Sequence, residues 1–135
     1  LQWLLSRITS YTGVMNYMGA RFTSEETALR RLLADLAARG LYFVDDGSSP
    51  RSKAQNVGEA IGAPVLAADL VLDERRSRAD IDQALSRLEE MAGSRGLAIG
   101  VASAFPTTIE ALADWIPKAE GRGLVIVPAS AALGR

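Results

Sequence analysis

The segment Arg39-Gly40-Leu41-Tyr42-Phe43-Val44-Asp45-Asp46-Gly47-Ser48-Ser49 decides the fold, because it reads as a helix end, a buried strand and a strand-end loop in immediate succession. Gly40 supplies the left-handed residue on which a helix stops. Leu41–Val44 is continuously apolar, not alternating, which suits a strand covered on both faces of a parallel sheet. Asp45-Asp46-Gly47 and the serines then mark a turn at the strand's carboxyl end. The same junction returns at Arg95-Gly96-Leu97 and Arg122-Gly123-Leu124, each time where a helical pattern gives way to an apolar run. A tight αβ loop needs glycine there, so the recurrence reports geometry and carries no functional meaning of its own.

Working outward, the apolar runs Thr12–Met15, Leu41–Val44, Pro64–Leu66, Leu97–Val101 and Leu124–Val127 are expected strands. Helical patterns separate them. Thr23-Ser24-Glu25-Glu26 has the form of a capping box, followed by Leu29, Leu32, Leu33, Leu36 and Ala37 on one face. Ser52-Lys53-Ala54-Gln55 opens a second helix carrying Val57, Ala60 and Ile61, closed by Gly62. Ile81, Ala84, Leu85, Leu88, Met91 and Ala92 stripe a third, and Thr107-Thr108-Ile109-Glu110 is the expected cap of a fourth, which Pro117 should kink or end. Alternating strands and helices predict an α/β fold with right-handed crossovers. An open doubly wound sheet and part of a (β/α) barrel both satisfy the pattern, and in both, ligands meet the carboxyl ends of the strands.

The 135 residues fit one domain. Fifteen Lys+Arg against sixteen Asp+Glu leave a net charge of −1, so the basic footprint of a nucleic-acid binder is missing. No apolar run approaches the ~18–20 residues that span a bilayer. The absence of histidine and cysteine excludes imidazole catalysis, imidazole and thiolate metal ligands, thiol nucleophiles and disulfides. Leu1, Leu4, Leu5 and Ile8 recur at helical spacing with no starting Met and no basic leader. The chain is therefore expected to begin inside a helix and to be part of a longer product.

Chemistry is expected at the strand ends. Asp45-Asp46 can hold a hard cation through oxygen, or make a turn in which Asp45 caps a backbone amide. Asp69 and Asp73 fall on one face of an extended segment, either joining Asp45 in an acidic ring or pairing with Arg75, Arg76 and Arg78. Tyr17, beside Asn16 and Gly19, suits contact with a sugar or packing in the core. Arg51, after Ser48-Ser49-Pro50, can orient an anion or pair with Asp45 or Asp46. No GxGxxG, Walker A or GxSxG pattern occurs, so nucleotide binding and serine hydrolysis lose support.

Together these stretches resemble a known family. Gly13-Val14-Met15-Asn16-Tyr17-Met18-Gly19-Ala20-Arg21-Phe22-Thr23 looks like the GVNNHMGSRFT stretch of the divergent polysaccharide deacetylases. Arg39–Asp46 resembles their RGLFFLDS, and Ser48-Ser49-Pro50-Arg51-Ser52 their TTPRS. Ala63–Leu66 with Asp69–Asp73 resembles PVLERDVFLD, and Leu97–Gly100 followed by Thr107–Leu112 resembles AIGHP…TLEAL. The likeness runs along nearly the whole chain in order.

The resemblance implies a partial (β/α) barrel of the glycoside hydrolase/deacetylase type, with parallel strands alternating with helices. Residues 1–135 are then a single α/β domain, the C-terminal portion of a larger deacetylase-like barrel in a bacterial cell-envelope or periplasmic protein. It also implies a divalent metal such as zinc, held by an Asp and two His, that activates water against an acetyl carbonyl. Here the chain departs from the family. The first family His is Tyr17, and the second is replaced by Val101 or Ala102. No cofactor is therefore expected, and no catalytic residue is assigned. The expectation is a degenerate hydrolase or glycan-binding domain facing an acetylated polysaccharide or peptidoglycan-like glycan, with Asn16, Tyr17, Asp45, Asp46, Arg51 and Asp69 as ligand contacts. The alternative is a non-catalytic envelope scaffold that binds proteins.

Overall fold

The computed structural model describes residues 2–133. Leu1 of the opening helical pattern lies outside the described residues, as does the Leu4 side chain. The first helix, α1, covers only Gln2–Leu5, and Ile8 stands exposed beyond it.

Strands and helices then alternate: β1 (Gly13–Met15), α2 (Ala20–Thr23), α3 (Glu26–Ala37), β2 (Tyr42–Asp45), α4 (Ala54–Ile61), β3 (Val65–Ala67), β4 (Leu70–Val71), α5 (Arg78–Arg95), β5 (Gly100–Val101) and α6 (Pro106–Gly121). A 3-10 turn at Ala129–Ala132 follows. All pairings are parallel. β1 pairs with β2 and β2 with β3, while β4 pairs with β5. The two sheets meet in one stretch of chain. The Ala68 N–H still donates to Asp45 O (2.8 Å), and one residue later the Asp69 N–H donates to Ile99 O (2.8 Å). β3 and β4 are thus one strand broken at Ala68-Asp69, its first half bonded to β2 and its second to β5. Each strand lies beside its predecessor in sequence with no reversal of order, as in an arc of a (β/α) barrel and unlike a doubly wound sheet.

Leu29, Leu33 and Leu36 of α3 are fully buried against Leu41 and Phe43 and against Ala54, Val57 and Ala63 around α4. A second, smaller cluster joins Leu72, Ile81, Leu85 and Ala111. Both follow the expected helical stripes, although Leu88 and Met91 of α5 are only half-buried. Of the strands, β2 alone has the burial expected of a two-sided strand, because it lies between β1 and β3. Met15 on β1 is half exposed at 51%.

Three local expectations are overturned, and for Pro117 one of two alternatives falls. The capping box does not form: Glu25 is the N-cap of α3 and makes no side-chain bond. Thr23 instead closes α2, its hydroxyl donating to Gly19 O and Ala20 O. α6 starts at Pro106, not after a threonine cap. Proline at the first helical position needs no amide partner, and Thr108 is left free to turn inward. Pro117 does not end α6, which runs on to Gly121. Finally, Leu124–Val127 forms no strand, and Val125 is 78% exposed. The turn that launches it is well made: Gly123 N–H bonds to Glu120 O and Leu124 N–H to Ala119 O, repeating Gly40 to Ala37 and Leu41 to Leu36. A strand needs a ladder to join, and β-propensity alone does not supply one.

Candidate functional site

Because every strand is parallel, the loops after β1, β2, β4 and β5 share one rim. Asp46, directly after β2, organises its first half. Its Oδ2 accepts the Met18 N–H (2.9 Å), and its Oδ1 accepts the Ser48 N–H (2.9 Å) and hydroxyl (2.6 Å). The Asp46 N–H in turn donates to Asn16 Oδ1 (3.0 Å), and Asn16 Nδ2 donates to Met18 O (2.9 Å). Asp46 and Asn16 thereby clamp the loops after β1 and β2 together. Burial by itself would raise the Asp46 carboxyl. The bonds from the Ser48 hydroxyl and N–H, the Asn16 side chain and the Met18 N–H outweigh it and hold the group below its ordinary value.

Asp45 is spent on the next turn. Its Oδ1 accepts the Gly47 N–H (3.1 Å), its Oδ2 accepts the Ser52 hydroxyl, and Ser52 Oγ accepts the Ala54 N–H that opens α4. Arg51 makes no ion pair among the described residues. It is exposed, and its N–H donates to Ser49 Oγ. The expected pairing of Arg51 with Asp45 or Asp46 does not occur, because serine and backbone donors already fill both carboxylates.

The clamp holds Tyr17 between two fixed neighbours. Tyr17 is 79% exposed, so the core-packing alternative is overturned. Met18 beside it adopts a left-handed φ of 58°, uncommon for a residue with a side chain, and Gly19 follows at 85°. The chain therefore turns sharply enough after β1 to leave the Tyr17 ring outside.

On the second half of the rim, Asp73 does for β4 and β5 what Asp46 does for β1 and β2. Its Oδ2 accepts the Ser103 N–H (2.7 Å) and the Thr108 hydroxyl (3.0 Å). Asp69 turns elsewhere, pairing with Arg95 (3.1 Å) and accepting the Ile99 N–H (2.8 Å). Neither the acidic ring nor the pairing with Arg75, Arg76 and Arg78 forms. Arg75 faces Asp80 and Arg78 bridges Asp82 and Asp114. Arg76 lies over the Phe105 ring, 4.1 Å from its centroid.

Of the candidate contacts, Asn16, Tyr17, Asp45 and Asp46 come together, with Arg51 on the adjoining loop, while Asp69 stands apart. Sequence reasoning missed Met18, Ser52, Ser103, Thr108, Arg76 and Phe105. The Asp46-Gly47-Ser48 turn was legible as a local motif, whereas Thr108 lies inside a helix where nothing marks its direction. Among the described residues no three acidic side chains converge as a metal site. With histidine absent and the rim carboxylates committed to N–H and O–H donors, the residues present do not fit zinc. Depressions of about 260 and 190 Å³ lie on the helical flanks, by Phe22, Arg31 and Leu32 and by Arg30, Asn56 and Val57.

The chain is 48% identical to protein ATU2773 of Agrobacterium tumefaciens C58, whose crystal structure superposes with a TM-score of 0.92 over 93% of this chain and 51% of that one. It is 25% identical to the protein YibQ of Escherichia coli (strain K12) over 77% of its own length and 33% of the relative's. A Haemophilus influenzae protein (strain ATCC 51907 / DSM 11121 / KW20 / Rd) is 26% identical over 74% of this chain and 36% of its own. The chain thus spans about a third of the curated relatives it matches and about half of the solved protein. The family description "Divergent polysaccharide deacetylase" matches residues 1–133, and the chain belongs to that family.

Proposed function

We propose that this chain is a glycan-binding part of a divergent polysaccharide deacetylase-like protein of the bacterial cell envelope, working without the Asp-His-His metal site. The observation that carries the reading is the Tyr17 loop. A clamp of charged and amide hydrogen bonds fixes the backbone on both sides of an aromatic ring that remains open to solvent. An exposed ring on a fixed backbone offers an apolar face to a sugar with only its two side-chain torsions left to settle, and its hydroxyl can bond the sugar's edge. Family membership supports carbohydrate as the ligand class.

The test is calorimetric titration of the full-length protein with acetylated oligosaccharides, alongside acetate release with and without divalent metal. Binding without release is the expected result, and Tyr17→Ala should weaken it about tenfold. Metal-dependent acetate release would overturn the degenerate reading. A protein-binding scaffold is favoured by a different feature, the exposed Val125-Ile126-Val127 segment. In that case Tyr17→Ala would leave partner binding intact, and substitutions in residues 125–127 would abolish it.

A further inference from the structure

The loop after β4 carries Arg75 and Arg76, and Arg78 opens α5; the three are used differently. Arg78 is held by Asp82 and Asp114, and Arg75 faces Asp80. Arg76 makes no ion pair among the described residues, yet its guanidinium is not loose, since it lies 4.1 Å above the centre of the Phe105 ring. Glu74, the nearest acid upstream in the chain, makes no ion pair with Arg76 among the described residues, and Asp73 before it spends its Oδ2 on Ser103 and Thr108. The stack covers one face of a planar cation and leaves the in-plane N–H donors at its edge unspent. Such an edge matches the two oxygens of a carboxylate. It is also already oriented, so less freedom is lost when an anion arrives.

Its position gives the arrangement a use. Phe105 follows β5 and Arg76 follows β4, so the stack stands on the same strand-end rim as Tyr17. Neighbouring strands lie about 4.8 Å apart, so three intervals separate the β1 and β5 ends by roughly 14 Å. That distance suits an oligomer of several rings, not one sugar. Arg51, exposed on the loop after β2, lies between the two ends.

We infer that the glycan bound at this rim is acidic, and that Arg76, held flat by Phe105, is the residue that reads its carboxylate. The inference rests on the glycan reading above and names the ligand's chemical class.

The test titrates the full-length protein with a matched pair of ligands: an N-acetylated oligosaccharide containing a uronic acid, and the same oligosaccharide with that carboxyl reduced to the alcohol. The wild type should bind the acid about tenfold more tightly, and raising the salt should narrow the difference. Arg76→Gln should erase the preference, so that the acidic and the reduced sugar bind alike. Arg87→Gln, which removes an exposed arginine on α5, should leave the preference intact. Tyr17→Ala should weaken both sugars alike. Equal binding of the two sugars by the wild type, or a preference that survives Arg76→Gln, overturns the inference and leaves the glycan reading standing. If neither sugar binds, the glycan reading falls and the inference falls with it. Because Arg76 is exposed, melting temperatures of the variant and wild type should agree, so an effect on binding is not an effect on folding.

Discussion

Asp46 shows how one side chain can be read correctly for its type and incompletely for its role. That a buried aspartate at a strand end makes a turn with Gly47 and Ser48 is local information, and the sequence carries it. Its bond to the Met18 N–H spans 28 residues, and the Asn16 bond to its own N–H spans 30. Pairings of that kind depend on which strands become neighbours and leave no trace in spacing. Asp46→Asn keeps the shape but presents an amide where N–H and O–H donors converge. The expected loss is about 1–3 kcal/mol at neutral pH, read from urea unfolding midpoints. The pH dependence has a definite sign. The folded carboxyl sits below the ordinary value of 3.8, so as pH falls the unfolded chain takes up this proton before the folded chain does. The contribution is complete above 3.8 and fades as pH drops through the depressed folded value. The gap between wild type and Asp46→Asn should therefore narrow on acidification. A gap that stays constant between pH 7 and pH 3 would contradict the charged role of Asp46.

At the scale of elements, the αβ junctions were the most legible feature and the helix starts the least. A junction is written in one glycine and a following leucine, and Gly40, Gly96 and Gly123 all take positive φ as that pattern requires. A helix start is a competition among several polar residues, and here tertiary partners decide it. Thr108 resembles a cap in sequence, but the Asp73 carboxylate captures its hydroxyl from inside the helix. Thr108→Val is nearly isosteric and removes that donor from a buried acid, so a loss of about 1–3 kcal/mol is expected in chemical denaturation. The contact of α4 with β3 gives a steric counterpart. A Cβ placed on Gly58 would fall 2.5 Å from Val65 Cγ2 and 3.1 Å from Ala63 O. Valine is stiff and the carbonyl is backbone, so neither can move away cheaply. Gly58→Ala should therefore destabilise by about 1–3 kcal/mol, despite alanine's better helix propensity. A stabilised variant in thermal melts would show that α4 can slide on the sheet.

For the whole molecule, the alternation of strands and helices announced parallel pairing, but periodicity could not choose between a barrel arc and an open doubly wound sheet. The choice lies in which edge each new strand joins. The break at Ala68-Asp69 settles it by handing one strand from β2 to β5. That handover also divides the core. One cluster packs Leu29, Leu33, Leu36, Phe43 and Val57 behind β2, and a smaller one packs Leu72, Ile81, Leu85 and Ala111 behind β4 and β5. Hydrophobic stabilisation scales with apolar area removed from water, so the two halves should not open at the same free energy. In native-state hydrogen exchange, amides of α3 and β2 should exchange only through the highest-energy opening. Those of β4, β5 and the ends of α5 and α6 should exchange through a lower one. Leu33→Ala, which cuts the larger cluster, should cost about 2–5 kcal/mol and bring the two classes of amide together. Leu85→Ala, in the smaller cluster, should spread them further apart. If every slow amide exchanges at one common free energy in the wild type, the two clusters form a single cooperative core, and the broken strand transmits folding across Ala68-Asp69 instead of dividing it.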